Sequence, residues 1–414
     1  MLFDKNLKKS QSIITSSYLR YILTLDSKNI ILSPFRYPCT WYDNLSKIFL
    51  IKRFKKKNLL NFIKIYLKEV LLIVSIMSYK TYGPSIKRKN YKNVYITWFK
   101  NGDIQKGLLI KDRYINQKFN KKKDIFFSVN MDKNFKKQNL KNTFILTKTG
   151  FFQINTLKNL YHLFNYIFFS LINNNLFHSL NVYSFYSYIF FINFKKCFFD
   201  CKFENIYMSY EGQPFQNFII SKIKKLFSEV KIIGLVNSFQ PFPIHLYNQK
   251  NAPHKIIYCH DYIKDHMVNV LNWKKDNFIK KKKNKLNDFK GKILLPFSIT
   301  DYDKILMILK KLAKSKKIKN LNNLKVQIHP NTPETKKQKI LKKKIEKFIR
   351  PTRQKYSREV IAIGATSVIM ENLIIGNIVY QIYENKEFEC LSSKYWPKIK
   401  SEYISSNVVK YKLN

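Results

Sequence analysis

The most informative stretch of this sequence is residues 360–382, which read VIAIGATSVIMENLIIGNIVYQI. Two short apolar runs, residues 360–363 and 378–382, enclose a glycine-bounded segment with helical spacing. Apolar runs of this length predict buried strands, and a strand–helix–strand order at this spacing is typical of a parallel sheet. Thr366 and Ser367 fall directly after the first predicted strand, where the predicted helix begins.

The same alternation of strands and helices extends upstream of this stretch. The predicted strands cover residues 206–209, 231–236, 255–259, 293–297 and 324–328, and the predicted helices cover residues 214–226 and 301–316 and a segment that begins at Pro333. A polar run at residues 274–290, with four consecutive lysines at 280–283, interrupts the pattern. We therefore predict an α/β fold with two Rossmann-like domains that face a cleft.

The polar run sets the predicted domain bounds. Residues 1–285 form an N-terminal, acceptor-side domain, residues 286–383 form a C-terminal nucleotide-sugar-binding domain, and residues 384–414 form a tail that packs back on the first domain. Within the first domain, the aromatic residues 157–194 predict two helices joined near residues 173–175. The lysine-rich residues 118–142 predict a loop or insertion.

The composition is that of a folded and very basic chain. Its 414 residues are 45% hydrophobic and carry a formal charge of +51, mostly from lysine. The chain is also rich in Asn, Ile, Phe and Tyr, which share A/T-rich codons with lysine. A surface dedicated to nucleic acid favours arginine, whose planar fork reads phosphate and guanine through paired hydrogen bonds. We therefore interpret the charge as a solvated lysine-rich surface that attracts an anionic membrane surface but no specific nucleic acid.

Cysteine usage and the first residues of the chain predict the compartment. The five cysteines are odd in number and scattered, which favours free thiols in a reducing environment. Cys197 and Cys201 lack a second pair or a nearby histidine, so we expect buried thiols and no zinc site. The first ten residues, MLFDKNLKKS, lack the apolar run of a signal peptide. We expect a cytoplasmic protein, peripheral on the inner face of the cytoplasmic membrane.

Two polar motifs follow predicted strands of the C-terminal domain. His329 and Pro330 come directly after residues 324–328, and Thr366 and Ser367 follow residues 360–363. Ligands of doubly wound sheets bind beyond the carboxyl ends of the strands, where helix N-termini present backbone N–H groups. Hydroxyls at a helix start suit a phosphate, and a histidine facing it could stabilise charge on a departing nucleotide. Each motif alone is also compatible with an ordinary turn or helix cap.

The order of these motifs resembles the donor domain of bacterial sialyltransferases and of related Kdo-type transferases of capsule and lipopolysaccharide biosynthesis. The resemblance covers roughly the last third of the chain. It implies a glycosyltransferase B-type fold, metal-independent, in which His329, Pro330, Thr366 and Ser367 hold the nucleotide phosphate and Glu371 lies near the ribose. The stretch YEGQPF that begins at Tyr210 is also similar to surface-carbohydrate biosynthesis proteins. Glu211 in it follows a predicted strand and is the candidate base for an acceptor hydroxyl, although capping the next helix would suit it equally.

Two features depart from the family pattern. Only a short polar stretch separates residues 349 and 360, where the family usually has another strand and helix. Asn372 stands where a small residue is usual. Asp301 and Asp303 match an Asp-x-Asp metal motif, but they open a predicted helix, where acidic residues are favourable without a metal.

These observations predict a glycosyltransferase of surface-polysaccharide biosynthesis (capsule, O-antigen or lipopolysaccharide). It would move a sugar, such as a CMP-linked sugar acid, from a nucleotide-sugar donor to a glycan or lipid-linked acceptor, with Glu211 and His329 catalytic and no cofactor or metal. The alternatives are a polyol-phosphate transferase of teichoic-acid type and a catalytically inactive nucleotide- or glycan-binding relative.

Overall fold

A computed structural model provides the structure of the chain. It describes residues 76–84, 90–99, 104–105, 108–109, 119–120, 123–130, 140–148, 154–172, 182–212, 214–236, 251–269, 272–281, 288–295, 302–315, 318, 321, 324–328, 336–349, 358–364, 366–383, 391 and 398–414. These residues form sixteen strands and seven α-helices. The strands belong to two large sheets and one two-stranded ribbon.

The first sheet takes its elements from residues 79–280. In chain order they are β1 (Tyr79–Tyr82), β2 (Asn93–Phe99), β3 (Ile104–Gln105), β4 (Leu108–Leu109), β5 (Asp124–Asn130), β6 (Thr143–Lys148), α1 (Ile154–Ile172), α2 (Val182–Phe198), β7 (Asn205–Ser209), α3 (Pro214–Leu226), β8 (Lys231–Val236), β9 (Lys255–Tyr258), α4 (Asp261–Asn269), a 3₁₀ turn (Lys275–Asn277) and β10 (Phe278–Lys280). β3 and β4 form the separate ribbon.

The strands of the first sheet have the order β1-β6-β5-β2-β7-β8-β9-β10. All neighbours pair in parallel except β1, which is antiparallel to β6 at the outer edge. The chain therefore winds outward from β2 through β5 to β6, returns to the other side of β2 at β7, and continues to β10. This is the doubly wound order of a Rossmann fold, and its winding reverses between β2 and β7.

The second sheet takes its elements from residues 292–413. They are β11 (Lys292–Leu295), α5 (Tyr302–Ser315), β12 (Lys325–Ile328), α6 (Lys336–Phe348), β13 (Glu359–Ile363), α7 (Val368–Ile374), β14 (Ile378–Ile382), β15 (Ile399–Ser405) and β16 (Val408–Leu413). The order is β12-β11-β13-β14-β16-β15, with parallel pairing from β12 to β14 and an antiparallel hairpin beyond. Its winding reverses between β11 and β13.

The predicted fold class, α/β with two Rossmann-like units, is confirmed by these two parallel-dominated sheets. Buried parallel strands are continuous apolar runs, which is why the predicted strands of residues 206–382 agree with the observed ones to within two residues. The helix predicted to begin at Pro333 is observed from Lys336, and α4 was not predicted. The two aromatic helices predicted within residues 157–194 are present as α1 and α2.

The expectation of a loop or insertion at residues 118–142 is wrong for residues 124–130. Residues 124–130 form β5, a buried central strand of the first sheet. The flanking lysines hide its apolar run, but Phe127 packs against three rings of α2, those of Phe190, Phe194 and Phe198, with centroids 4.9–6.1 Å away. Aromatic packing of this kind fixes α2 on one face of the sheet.

The predicted C-terminal tail, residues 384–414, contains two strands, and its packing on the first domain stays a prediction. β15 and β16 form a hairpin that extends the second sheet through pairing of β16 with β14. The free edge of β14 supplies this long-range partner, which local sequence does not reveal. Contact with the first unit occurs at Lys398, whose Nζ lies 2.9 Å from Oδ2 of Asp265 on α4.

The polar run at residues 274–290 contains structure as well. The 3₁₀ turn leads into β10, which pairs with β9, and β11 begins the second sheet at Lys292. The change from one sheet to the other thus falls between residues 280 and 292, and the domain boundary at residues 285–286 stays a prediction. The two units also share one continuous hydrophobic core, which includes Met208 of β7 and Ala362 of β13.

Cys197 and Cys201 are buried and form no disulfide bond, as the sequence indicates. Within the described part of the chain, no helix is both long enough and apolar enough to cross a membrane.

The amino ends of three central strands are tied together by side chains. Asn93 of β2 donates to Oδ1 of Asp124 at 2.9 Å and accepts from Asn205 of β7 at 3.1 Å. The other carboxylate oxygen of Asp124 accepts from the backbone N–H of Asn120 at 2.7 Å. The Asp124 side chain is buried, and its two oxygens are both occupied by these hydrogen bonds.

Asp124→Ala should therefore lower the free energy of unfolding by about 1–3 kcal/mol, because the side chain of Asn93 and the backbone N–H of Asn120 both lose a buried acceptor. Asp200→Ala, at an exposed carboxylate of the same unit, is the matched control and should change stability by less than about 0.5 kcal/mol. Urea denaturation followed by circular dichroism measures both, and equal midpoints for the two variants would contradict the account.

Candidate functional site

The switch point of the second sheet lies between β11 and β13, whose following segments leave toward opposite faces. α5, after β11, packs on one face through Ile305 and Leu309. α7, after β13, packs on the other face through Ile369 and Leu373. Segments that diverge in this way open a crevice at the carboxyl ends of the strands, which is where open α/β sheets bind ligands.

Three strand ends lie side by side at this switch point. In the register of the sheet, Leu295 of β11 lies beside Ile328 of β12, and Leu294 lies beside Ala362 of β13. The strands therefore end at the same level. β12 and β13 are separated by β11, a backbone distance of about 10 Å between the two strands.

The loop after β13 is held by hydrogen bonds on both sides of Gly364. The N–H of Gly364 donates to the carbonyl of Ile382 at 2.7 Å, and the carbonyl of Gly364 accepts from Nε2 of Gln381 at 3.0 Å. Oε1 of Gln381 accepts in turn from the hydroxyl of Tyr411 at 2.9 Å. Gly364 has a φ of 75°, which glycine adopts without strain. The backbone that leads to Thr366 and Ser367 is thus fixed by buried groups of β14 and β16.

Thr366 and Ser367 are half-buried at the start of α7. Ser367 occupies the N-cap position, but its side chain makes no capping hydrogen bond. Thr366 Oγ1 accepts a long bond of 3.4 Å from the N–H of Val368. An ordinary N-cap role therefore does not account for Ser367, whose hydroxyl stays available at the switch point.

Glu371 lies one helical turn after Ser367, and its N–H donates to the Ser367 carbonyl at 3.3 Å. Burial raises the pKa of the Glu371 carboxyl above its ordinary value. Asn372, next along the helix, is fully buried and has a structural role: its Oδ1 accepts from the N–H of Phe289 and from Nδ2 of Asn377, at 3.2 and 2.9 Å. This residue, a departure from the family pattern, joins α7 to the segment before β11.

His329 and Pro330 lie outside the described residues, directly after the last residue of β12, Ile328. Their roles therefore stay predictions. Asp301 of the Asp-x-Asp match also lies outside, while Asp303 is in the first turn of α5. Among the described residues, no group of three or more His, Cys, Asp or Glu side chains could hold a metal ion.

Glu211 follows β7, which borders the switch point of the first sheet. Gln216 on α3 braces its loop: Oε1 accepts from the N–H of Glu211 and Nε2 donates to the Ser209 carbonyl, both at 2.9 Å. Gly212 continues the turn with a φ of 69°. These contacts fix the backbone of Glu211 at the carboxyl end of β7.

The preceding residue, Tyr210, is fully buried beneath this loop. Its hydroxyl donates to Oδ1 of Asn217 at 3.0 Å, and its ring contacts Trp273 edge-on. Burial raises the pKa of Tyr210 well above its ordinary value, so the hydroxyl remains a donor throughout the physiological range. Tyr210 is therefore a structural support for the loop.

The switch point of the first sheet carries a row of buried hydroxyl residues. The segment after β2 packs on one face through Leu109 and Phe119, whereas α3 packs on the other. On the first of these faces, Thr97 of β2 lies beside Ser128 of β5, and Ser209 of β7 lies at the same level on the far side of β2. The buried Ser128 hydroxyl has no hydrogen-bond partner in the described structure. Such a group is uncommon and marks a place where a polar ligand or water could bind.

Comparisons with known proteins do not show a family for this chain. No protein-family model and no curated protein matches it. Among solved structures, the chain is similar to a glycosyltransferase from Rickettsia africae at 10% identity, over 74% of this chain and 87% of that one, with a TM-score of 0.27. A similarity at this level carries no argument about function.

Several supporting residues escaped prediction. Gln381 interrupts the apolar run of β14, and a polar residue within a buried strand is a signal that could have found it. Gln216 and Asn217 sit in the first turn of α3, where they resemble ordinary surface residues. Thr97 and Ser128 lack any local signal, because only the register between β2 and β5 brings them together.

Glu371→Gln should raise the free energy of unfolding at pH 7. The raised pKa means that the folded state holds its proton more tightly than the unfolded state, so the native carboxyl loses stability as pH rises from its unfolded pKa of about 4.5 through the folded pKa. The advantage of the glutamine variant should shrink toward zero below that window. Urea unfolding from pH 4 to pH 8 measures it, and an advantage that is constant with pH would refute this assignment.

Proposed function

We propose that the chain is a glycosyltransferase that binds a nucleotide-activated sugar at the switch point of its second sheet. The observation that carries the proposal is the Thr366–Ser367 pair. It follows a central parallel strand at the point where the winding reverses, and its serine hydroxyl does not cap the helix. A phosphate placed there would meet hydroxyl donors on a backbone that Gly364 and Gln381 hold in position.

The donor side of the reaction follows from this placement. Ser367 and Thr366 would donate to the phosphate, and Glu371 would lie near the ribose. His329, at the end of β12, would approach the phosphate from across β11, so that a phosphate group and two side chains fill the interval of about 10 Å. As the bond between the sugar and the phosphate breaks, His329 would stabilise the charge that develops on the departing nucleotide.

The acceptor side belongs to the first sheet. In this proposal the carboxylate of Glu211 takes the proton from an acceptor hydroxyl while that oxygen forms its bond to the anomeric carbon. The buried hydroxyls of Thr97, Ser128 and Ser209 support a polar ligand at the neighbouring strand ends. The braced loop of Glu211 suits a base that must keep its position.

The finer assignment rests on the resemblance of the motifs. We propose surface-polysaccharide biosynthesis, a CMP-linked sugar acid as the donor type, a glycan or lipid-linked acceptor, metal-independent transfer and a cytoplasmic location. A polyol-phosphate transferase would use a CDP-linked donor, and an inactive relative would bind a nucleotide without turnover. The choice of donor therefore separates these alternatives.

Nucleotide binding tests the proposal. In a thermal-shift panel of CMP, CDP, UDP and GDP, at least one nucleotide should raise the unfolding temperature. Ser367→Ala should weaken its affinity by about 1.5–3 kcal/mol, because one hydrogen bond to a charged acceptor is lost. Ser406→Ala, in the exposed turn between β15 and β16, is the matched control and should bind as the wild type does.

Measurements of turnover test the roles proposed for His329 and Glu211. His329→Ala should lower the rate of nucleotide release more than it lowers affinity, and Glu211→Gln should abolish transfer while leaving nucleotide affinity unchanged. If no nucleotide stabilises the protein, or if Ser367→Ala and Ser406→Ala bind equally, the site in the second sheet is wrong.

A further inference from the structure

Helix α1 carries a continuous stripe of exposed apolar side chains. Leu157, Tyr161, Phe164 and Phe168 are 67%, 65%, 62% and 59% exposed. Their spacing of four, three and four residues places them along one side of the helix, over about three turns. Exposed large apolar residues are normally scattered singly, so a row of four is a candidate interaction surface.

The opposite side of α1 fixes the direction in which this stripe points. Leu160 and Leu163 pack against the small core that contains Ile76 and Phe185. Nδ2 of Asn159 donates to the carbonyls of Met77 and Tyr79 at 2.6 and 3.0 Å. The helix is therefore anchored to the protein through one side and presents the stripe on the other.

The charges in the sequence on either side of α1 indicate the kind of partner that the stripe would bind. Residues 133–199, which include all of α1 and α2, contain no Asp or Glu. The same segment contains eight lysines, namely Lys133, Lys136, Lys137, Lys141, Lys148, Lys158, Lys195 and Lys196. The stripe is apolar, and the only acidic or basic side chains of the segment other than histidine are lysines. An anionic lipid surface complements both properties, because it offers negative headgroups to the lysines and an apolar interior to the stripe.

A second copy of the chain fits this surface less well. Two copies meeting through α1 would bring two carboxylate-free, lysine-bearing segments together, and the whole chain already carries +51. Four side chains on one helix also provide little of the roughly 1,200–2,000 Å² that a stable interface buries.

We propose that α1 is a membrane-docking helix that lies in the plane of an anionic bilayer. Leu157, Phe164 and Phe168 enter the boundary between headgroups and acyl chains, and Tyr161 keeps its hydroxyl at the polar level. Lysines of the segment contact the lipid phosphates. This surface is separate from both switch points, so the inference does not rest on the proposed function.

Vesicle binding tests the proposal with the full-length protein. Wild type should co-sediment with vesicles of equal parts phosphatidylcholine and phosphatidylglycerol, and much less with pure phosphatidylcholine. A triple variant with Leu157→Ser, Tyr161→Ser and Phe164→Ser should bind the anionic vesicles about tenfold more weakly or worse, because it loses the inserted apolar area.

The matched control replaces three exposed apolar residues outside α1. Ile279→Ser, Met307→Ser and Ile340→Ser, which are 45%, 48% and 45% exposed, should leave vesicle binding unchanged in a second triple variant. Should the stripe variant fail to fold, Tyr161→Trp supplies a conservative probe. Its added emission should shift to the blue on mixing with anionic vesicles and be quenched by brominated acyl chains.

Equal vesicle binding by the two triple variants would overturn the proposal, as would an emission of Tyr161→Trp that vesicles leave unchanged. Sedimentation equilibrium identifies the competing occupant. A wild-type dimer that the stripe variant converts to a monomer, with vesicle binding retained, would assign the stripe to a second copy and contradict the membrane assignment.

Discussion

The reversal of winding in each parallel sheet is the constraint on which the rest of the structure depends. A parallel sheet needs cover on both faces, so its connections must cross over on one side or the other. Where the winding changes direction, neighbouring strands send their chains to opposite faces of the sheet. In this protein that happens between β2 and β7 and again between β11 and β13. The candidate residues Glu211, Thr366 and Ser367 follow strands at these two places.

Buried side chains next to each switch point hold the loops that carry the candidate residues. Gln216 holds the loop of Glu211, and Gln381 holds the loop that leads to Thr366. Both are buried amides that bond backbone groups, which restricts the loops without placing charge near them. Rigid backbone of this kind suits a site whose chemistry depends on position. By contrast, burial raises the pKa of the half-buried Glu371 carboxyl, and shifted pKa values are common at functional positions.

Much of the fold could be predicted because buried parallel strands have a strong local signal. The stretch around α7 shows this, since the strands on either side of it were predicted with bounds correct to one residue. Pairing between strands that are far apart in the sequence has no such local signal. The lysines around β5 hid a central strand, and the hairpin of β15 and β16 depends on the free edge of β14.

The residues of the candidate site also differ in whether the local sequence indicates them. Thr366, Ser367 and Glu211 could be found from the sequence because a strand directly precedes each of them. Thr97 and Ser128 could not, since only the register of distant strands brings their hydroxyls together. The role of Asn372 in joining α7 to the segment before β11 is also a tertiary property.

Amide hydrogen exchange in the presence of a saturating nucleotide is the most direct test of the central claim, that the switch point of the second sheet is the nucleotide site. Peptides that span residues 364–371 should gain protection on binding, because the phosphate would accept from backbone N–H groups at the start of α7. Peptides from β15 and β16 should be unchanged. Protection confined to the first sheet, with residues 364–371 exchanging as in the free protein, would contradict the account.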